Sequence, residues 1–226
     1  LDWLITFLIY APPVILAITL HEAAHGYAAL QRGDATALQA GRLSLNPFKH
    51  VDPIGTFALP ALLIVAHSPF VFGYAKPVPV NFHQLRNPKR DMVYVAIVGP
   101  LTNIALAILS ALLLHTTAFM PAFISPFFTE MLVFSVQINS LLALFNMLPL
   151  PPLDGGRVAV GLLPDCLAQP LARLERYGFL ILLSLLVILP IVLNKIGIQF
   201  SLFNIVLKEP YLWVLKTILT ITGLNH

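Results

Sequence analysis

Five apolar runs separated by short polar stretches set the pattern of this chain. The first extends from Trp3 to Leu20 without a charge and continues as a more mixed helical stretch, His21 to Leu30. The second covers Ile54 to Tyr74, the third Met92 to Leu114, the fourth Met131 to Leu148 and the fifth Tyr177 to Leu193. Runs of about 17–25 apolar residues are long enough to cross the hydrocarbon of a bilayer as helices. The pattern predicts an all-α, polytopic transmembrane helical bundle. The second run departs from it, because Pro60 and Pro69 remove helix hydrogen bonds. Segment 54–74 is therefore expected to be re-entrant or broken, packed against protein rather than lipid. Just beyond it, Gly73-Tyr74-Ala75-Lys76-Pro77-Val78-Pro79-Val80-Asn81 alternates in a way that suits a short extended strand near 74–81. The tail from Ile198 is interrupted by Lys208-Glu209-Pro210, and Tyr211 to Leu224 is expected to lie in the interface, anchored by Tyr211, Trp213 and Lys216.

Composition removes the soluble alternatives. Of 226 residues, 58% are hydrophobic and 10% charged, whereas soluble domains carry about 25% charged residues. The 13 basic residues, giving a net charge of +3, sit between apolar runs rather than in one stripe. They are membrane-flanking charges, and no nucleic-acid partner is expected. Cys166 is the single cysteine, so no intrachain disulfide forms. The first run has no basic residue ahead of it and is not expected to be a cleaved signal. Residues 1–226 are expected to form a single membrane-embedded domain, with a core at about 1–176 and C-terminal helices over 177–224.

The basic residues also set topology. Connection 115–130 has no Lys or Arg and belongs outside; 75–91 and 150–176 carry seven and belong inside. If 54–74 dips in and returns, Arg32, Arg42 and Lys49 join them, and ten of the thirteen basic residues share one side.

Chemistry concentrates at two places. His21-Glu22-Ala23-Ala24-His25 is H-E-x-x-H. On a helix, positions i and i+4 share a face, so both imidazoles can bind one metal, with Glu22 beside them as general base. Two histidines and a glutamate at the end of a charge-free run are costly in a membrane unless paired or functional. A catalytic zinc site takes three protein ligands. The candidate third is Asp154, in Pro149-Leu150-Pro151-Pro152-Leu153-Asp154-Gly155-Gly156, which also has the composition of a plain turn. Depth favours the ligand. Eighteen apolar residues precede His21 and eighteen precede Pro149, each covering about 27 Å at 1.5 Å per residue. Two helices entering from outside would bring His21, His25 and Asp154 to similar depth near the inner face. They must then be parallel, with one reversal between them, so 54–74 must not cross. Charge and metal geometry demand the same topology.

With those residues in view, the chain resembles the site-2 proteases, the intramembrane zinc metalloproteases. The resemblance rests on His21-Glu22-x-x-His25, Gly99-Pro100-x-x-Asn103 and Asn146-x-x-Pro149-x-Pro151-x-Leu153-Asp154-Gly155, and spans roughly residues 14–160. It implies that His21, His25 and Asp154 ligate one Zn2+ per chain and that Glu22 is the catalytic base. It also implies a substrate that is a transmembrane segment of another protein, cleaved in or near the bilayer. The PDZ and CBS domains of many members are missing from this sequence, which leaves a regulatory partner or oligomer undetermined. Asn146 and Asn103 are candidates for substrate binding; the alternative for each is a hydrogen bond between helices. Gly99-Pro100 suits close packing and a kink, as does Pro12-Pro13. His67, His83 and His115 lack ligand spacing. The expected location is the cytoplasmic membrane of a bacterium or archaeon, with the active site towards the cytoplasm.

A different function class, a non-enzymatic metal-binding membrane transporter, needs a polar pathway through the bilayer. Outward of His21, the first helix offers only Thr6 and Thr19. A transport site also has no need of Glu22.

Overall fold

The computed structural model describes residues 2–65, 73, 75–197, 200–201 and 203–224. Four helical stretches are long and apolar enough to cross a membrane: Trp3–Gln31, Pro88–Phe119, Ser125–Asn146 and Asp165–Lys195. Helix α1 (Asp2–Gln31) continues through Pro12 and Pro13. It ends where Gly33 adopts φ 106°, with Gly33 N–H donating to Leu30 and Asp34 N–H to Ala29. That pair of bonds closes the helix and needs a residue free to enter the left-handed region. A single turn, α2 (Thr36–Gln39), follows.

The described part of the second apolar run is too short to cross. A π-helical turn at Pro53–Ala58 leads into α3 (Leu59–Val65). Thirteen residues of helix rise about 20 Å, short of a ~30 Å hydrocarbon core. The flanks of the run meet: Lys76 N–H donates to the His50 carbonyl at 2.8 Å. Both ends of 51–75 are therefore at one place. His67 and Pro69 lie outside the described residues.

Residues 75–81 form no strand, contrary to the alternation in the sequence. A strand needs a neighbouring edge, and here side chains take the backbone groups instead. Glu22 accepts from Val78 N–H and Asp34 from Asn81 N–H, both at 2.7 Å. The Arg42 guanidinium donates to the carbonyl of Lys76 at 2.7 Å.

Helix α4 (Pro88–Leu114) starts with Pro at its first position, where a missing N–H costs nothing. Asp91 closes that end by accepting from Asn87 N–H at 2.9 Å. Helix α5 (Ser125–Asn146) follows the connection after Phe119. Contacts run in register along the bundle. Tyr10 donates to Glu130 at 2.6 Å and stacks edge-on against Phe134. Deeper in, Asn103 links Ala17 to Asn139. Towards the other end, Arg32 lies over Tyr94 and pairs with Asp91. Rising numbers in α1 thus meet rising numbers in α5 and falling numbers in α4. Helices α1 and α5 are parallel, with α4 as the reversal between them.

The Pro-rich turn after α5 leads into α6 (Asp154–Leu162), packed on α4. Helices α7 (Asp165–Arg173), α8 (Gly178–Leu183) and α9 (Leu189–Lys195) are joined by short 3-10 and π turns into one long stretch. Helix α10 (Lys208–Ile221) packs through one face on α4 and α5. Ile218 is only 2% exposed, set against Ala107, Ala111 and Val136 of α4 and α5. The Thr222 carbonyl accepts from the ring of His115 at 2.7 Å. Small residues on α4 leave a groove that this helix fills.

Candidate metal centre

The HExxH segment lies in the C-terminal half of α1, so His21 and His25 project from one face towards α4. Asp154 is the first residue of α6 and reaches the same point from the other side of the bundle. The two Nε2 atoms are 3.0 Å apart. Asp154 Oδ2 lies 3.1 Å from His21 Nε2 and 3.3 Å from His25 Nε2. All three side chains are buried. Among the described residues, these three form the group of His, Cys, Asp and Glu able to hold a metal ion.

The protons decide what this triangle can be. His21 Nδ1 faces the Asn103 amide oxygen at 2.6 Å, and His25 Nδ1 faces the Val95 carbonyl at 2.7 Å. Both partners are acceptors, so both Nδ1 atoms carry the hydrogen and both Nε2 atoms present a lone pair. Asp154 Oδ2 is accordingly buried with no hydrogen-bond donor. Three acceptors thus converge with no proton to separate them, an arrangement that fits a cation. Tetrahedral zinc with bonds of about 2.0–2.2 Å holds its ligand atoms roughly 3.3–3.6 Å apart, close to this triangle.

Glycines let the elements close on the site. A Cβ on Gly99 would collide with both imidazole rings, coming within 2.7 Å of His21 Cε1. The Pro-rich turn is clasped likewise: side chains on Gly155, Gly156 or Gly178 would run into the backbone of residues 147–152. Gly178 belongs to no motif and is found only in three dimensions.

Glu22 is half-buried, and its carboxylate accepts from Val78 N–H. Asn103 is fully enclosed and joined to His21. Asn146 stands apart from the triangle, at the last residue of α5, where its amide donates to the Leu142 carbonyl at 3.0 Å. His83 and His115 are outside the cluster. Sequence reasoning missed Asn139, which is 1% exposed and bonded to Asn103 at 3.0 Å. The signal was a polar amide inside the apolar run 131–148.

The model of Peptidase family M50 matches residues 119–189, which include the Asn146–Asp154 motif. The chain is 41% identical over 178 residues to "Putative zinc metalloprotease YwhC" of Bacillus subtilis, covering 77% of this chain and 78% of the relative. It is 31% identical over 189 residues to "Putative zinc metalloprotease Rip2" of Mycolicibacterium smegmatis, covering 83% and 70%. No solved structure gives a significant match. With relatives 31–41% identical and matched over 70–78% of their own length, and with a buried His-His-Asp triangle able to hold a cation, the chain belongs to peptidase family M50, the site-2 protease family.

Proposed function

We propose that this chain is a zinc-dependent intramembrane endopeptidase that cleaves transmembrane segments of other membrane proteins. The observation that carries the reading is the convergence of His21 Nε2, His25 Nε2 and Asp154 Oδ2 with no proton between them, one residue from Glu22. The three side chains would hold one zinc per chain. Zinc supplies a Lewis acid that polarises the scissile carbonyl and acidifies water at neutral pH.

The remaining work falls to the chain. Glu22 takes the proton from the attacking water and returns it to the leaving amine. To do so its carboxylate turns from Val78 N–H or uses its second oxygen. A substrate helix must unwind first, because its carbonyls are bonded internally. Asn146, at the mouth of the Pro-rich turn, is placed to donate to a substrate carbonyl once it leaves Leu142. Asn103 is enclosed and serves His21 rather than substrate. The whole chain acts as one protease domain in a bacterial or archaeal cytoplasmic membrane. Its site faces the cytoplasm, a side supported by ten basic residues.

The test is proteolysis of a panel of single-span proteins reconstituted in vesicles, comparing wild type with Glu22→Gln. The expected result is cleavage by wild type and none by the variant, with zinc content equal in both. Zinc retained in both, no cleavage by either and zinc movement across the vesicle wall would instead establish a transporter.

A further inference from the structure

Asn139 lies on α5, on the far side of Asn103 from the metal ligands. A backbone carbonyl can only accept, and Asn139 Nδ2 sits 2.9 Å from the Ser135 carbonyl and 3.3 Å from its hydroxyl. That contact fixes the Asn139 amide: nitrogen towards Ser135, oxygen towards α4. The oxygen accepts from Asn103 Nδ2 at 3.0 Å. The Asn103 nitrogen is thereby held away from the His21 ring, and its oxygen meets His21 Nδ1 at 2.6 Å. The order of donors and acceptors, read from Ser135 to His21, has one consistent solution. It ends with the His21 hydrogen on Nδ1 and the lone pair on Nε2, facing Asp154.

We infer that Asn139 is a positioning residue for the metal site: by fixing the Asn103 amide it sets the tautomer of His21. The inference rests on the zinc-site reading above. Its physical basis is the weakness of the alternative restraint. Without Asn139, the Asn103 nitrogen keeps only the Ala17 carbonyl at 3.3 Å, longer than an ordinary N–H···O bond. An Asn103 amide rotated by half a turn would present N–H to His21 Nδ1. His21 would then carry its hydrogen on Nε2, pointing at His25 Nε2 and Asp154, and could not ligate. Partners that orient a ligating histidine commonly contribute 10–100-fold to metal affinity. Asn139 does so one step further out, through a second amide.

Two measurements on the purified full chain in detergent decide it. One is zinc affinity by competition with a chromophoric chelator. The other is the tautomer of His21 in metal-free, 15N-histidine-labelled protein, its signals identified by their loss in His21→Gln. In wild type the metal-free ring is expected as Nδ1–H. Asn139→Leu is expected to mix the tautomers and weaken zinc by about 10–100-fold. Asn139→Asp, protonated in this buried position, still accepts from Asn103 and donates to Ser135, and is expected to stay near wild type. Ser140→Ala removes a buried hydroxyl that bonds only its own helix at Val136, and is expected to change neither readout. Should Asn139→Leu fail to fold, Asn139→Ala carries the same expectation. An unchanged tautomer and affinity in the folded variant overturn the inference, as does an equal loss in Ser140→Ala. If wild type itself binds no zinc, the function proposed above fails, while the tautomer comparison in metal-free protein still tests Asn139.

Discussion

At Gly99, one absent methyl group sets the distance from α4 to both histidine rings. Inside an ordinary helix, Gly→Ala is favourable by up to ~1 kcal/mol. Here the new Cβ would overlap His25 and crowd His21, and overpacking costs about 1–3 kcal/mol. Gly99→Ala is therefore expected to leave the fold intact or slightly weakened, yet to displace the rings enough to lose zinc. Thermal melting and metal analysis of the same sample separate the two effects. The ligand triangle carries a related expectation. Three facing acceptors repel one another when empty, and any ion bound only to the folded state stabilises it by mass action. Chelation is expected to lower the melting temperature of wild type and to leave Asp154→Ala unmoved. An equal shift in both would remove Asp154 from the set of ligands.

Among the elements, segment 75–81 is the most dependent on its neighbours. Asp34 holds it: one carboxylate oxygen takes Thr36 N–H and the Thr36 hydroxyl, the other Asn81 N–H. Asp34→Ala strands half-buried donors, at up to about 1 kcal/mol each, below the cost of fully buried ones. The expected outcome is faster proteolytic nicking within 75–81 in detergent, together with a lower melting temperature. A nicking rate equal to wild type would show that Glu22 and Arg42 suffice. This segment also shows where sequence stops being informative. Alternation suggests a strand, but whether an edge lies beside it depends on residues 22, 34, 42 and 50, which no local pattern includes. The α1 site was legible because its ligands are four residues apart on one helix, and the Pro-rich turn because its composition allows little else. Asn139 was not, since an amide in an apolar run looks the same whether it joins two helices or sets a tautomer. The packing of helix α10 was hidden for a similar reason. Tyr211, Trp213 and Lys216 suit an interface, while the groove along Ala107 and Ala111 that receives Ile218 exists only after α4 and α5 pack.

For the whole molecule, the parallel course of α1 and α5 decides whether a site can form at all. Depth arithmetic required an even number of crossings between His21 and Asp154, and the meeting of Lys76 with His50 supplies it by returning the second run to its starting point. Which face of the membrane holds the site follows from charge alone, so it needs a direct measurement. Phe48, 83% exposed just before the returning segment, Phe123 in the outer connection, and the native, exposed Cys166 at the start of α7 are suitable reporters. In intact cells a membrane-impermeant maleimide is expected to label Phe123→Cys, made in a Cys166→Ser background. Phe48→Cys in that background, and Cys166 in the unaltered chain, are expected to react only after the membrane is opened. If Phe48→Cys reacted from the same side as Phe123→Cys, residues 51–75 would have to cross. The bond between Lys76 and His50 could not then form. Helices α1 and α5 would be antiparallel, and His21 and His25 would lie a membrane's thickness from Asp154. Labelling of Phe48 thus tests the metal site from a position that touches none of its ligands.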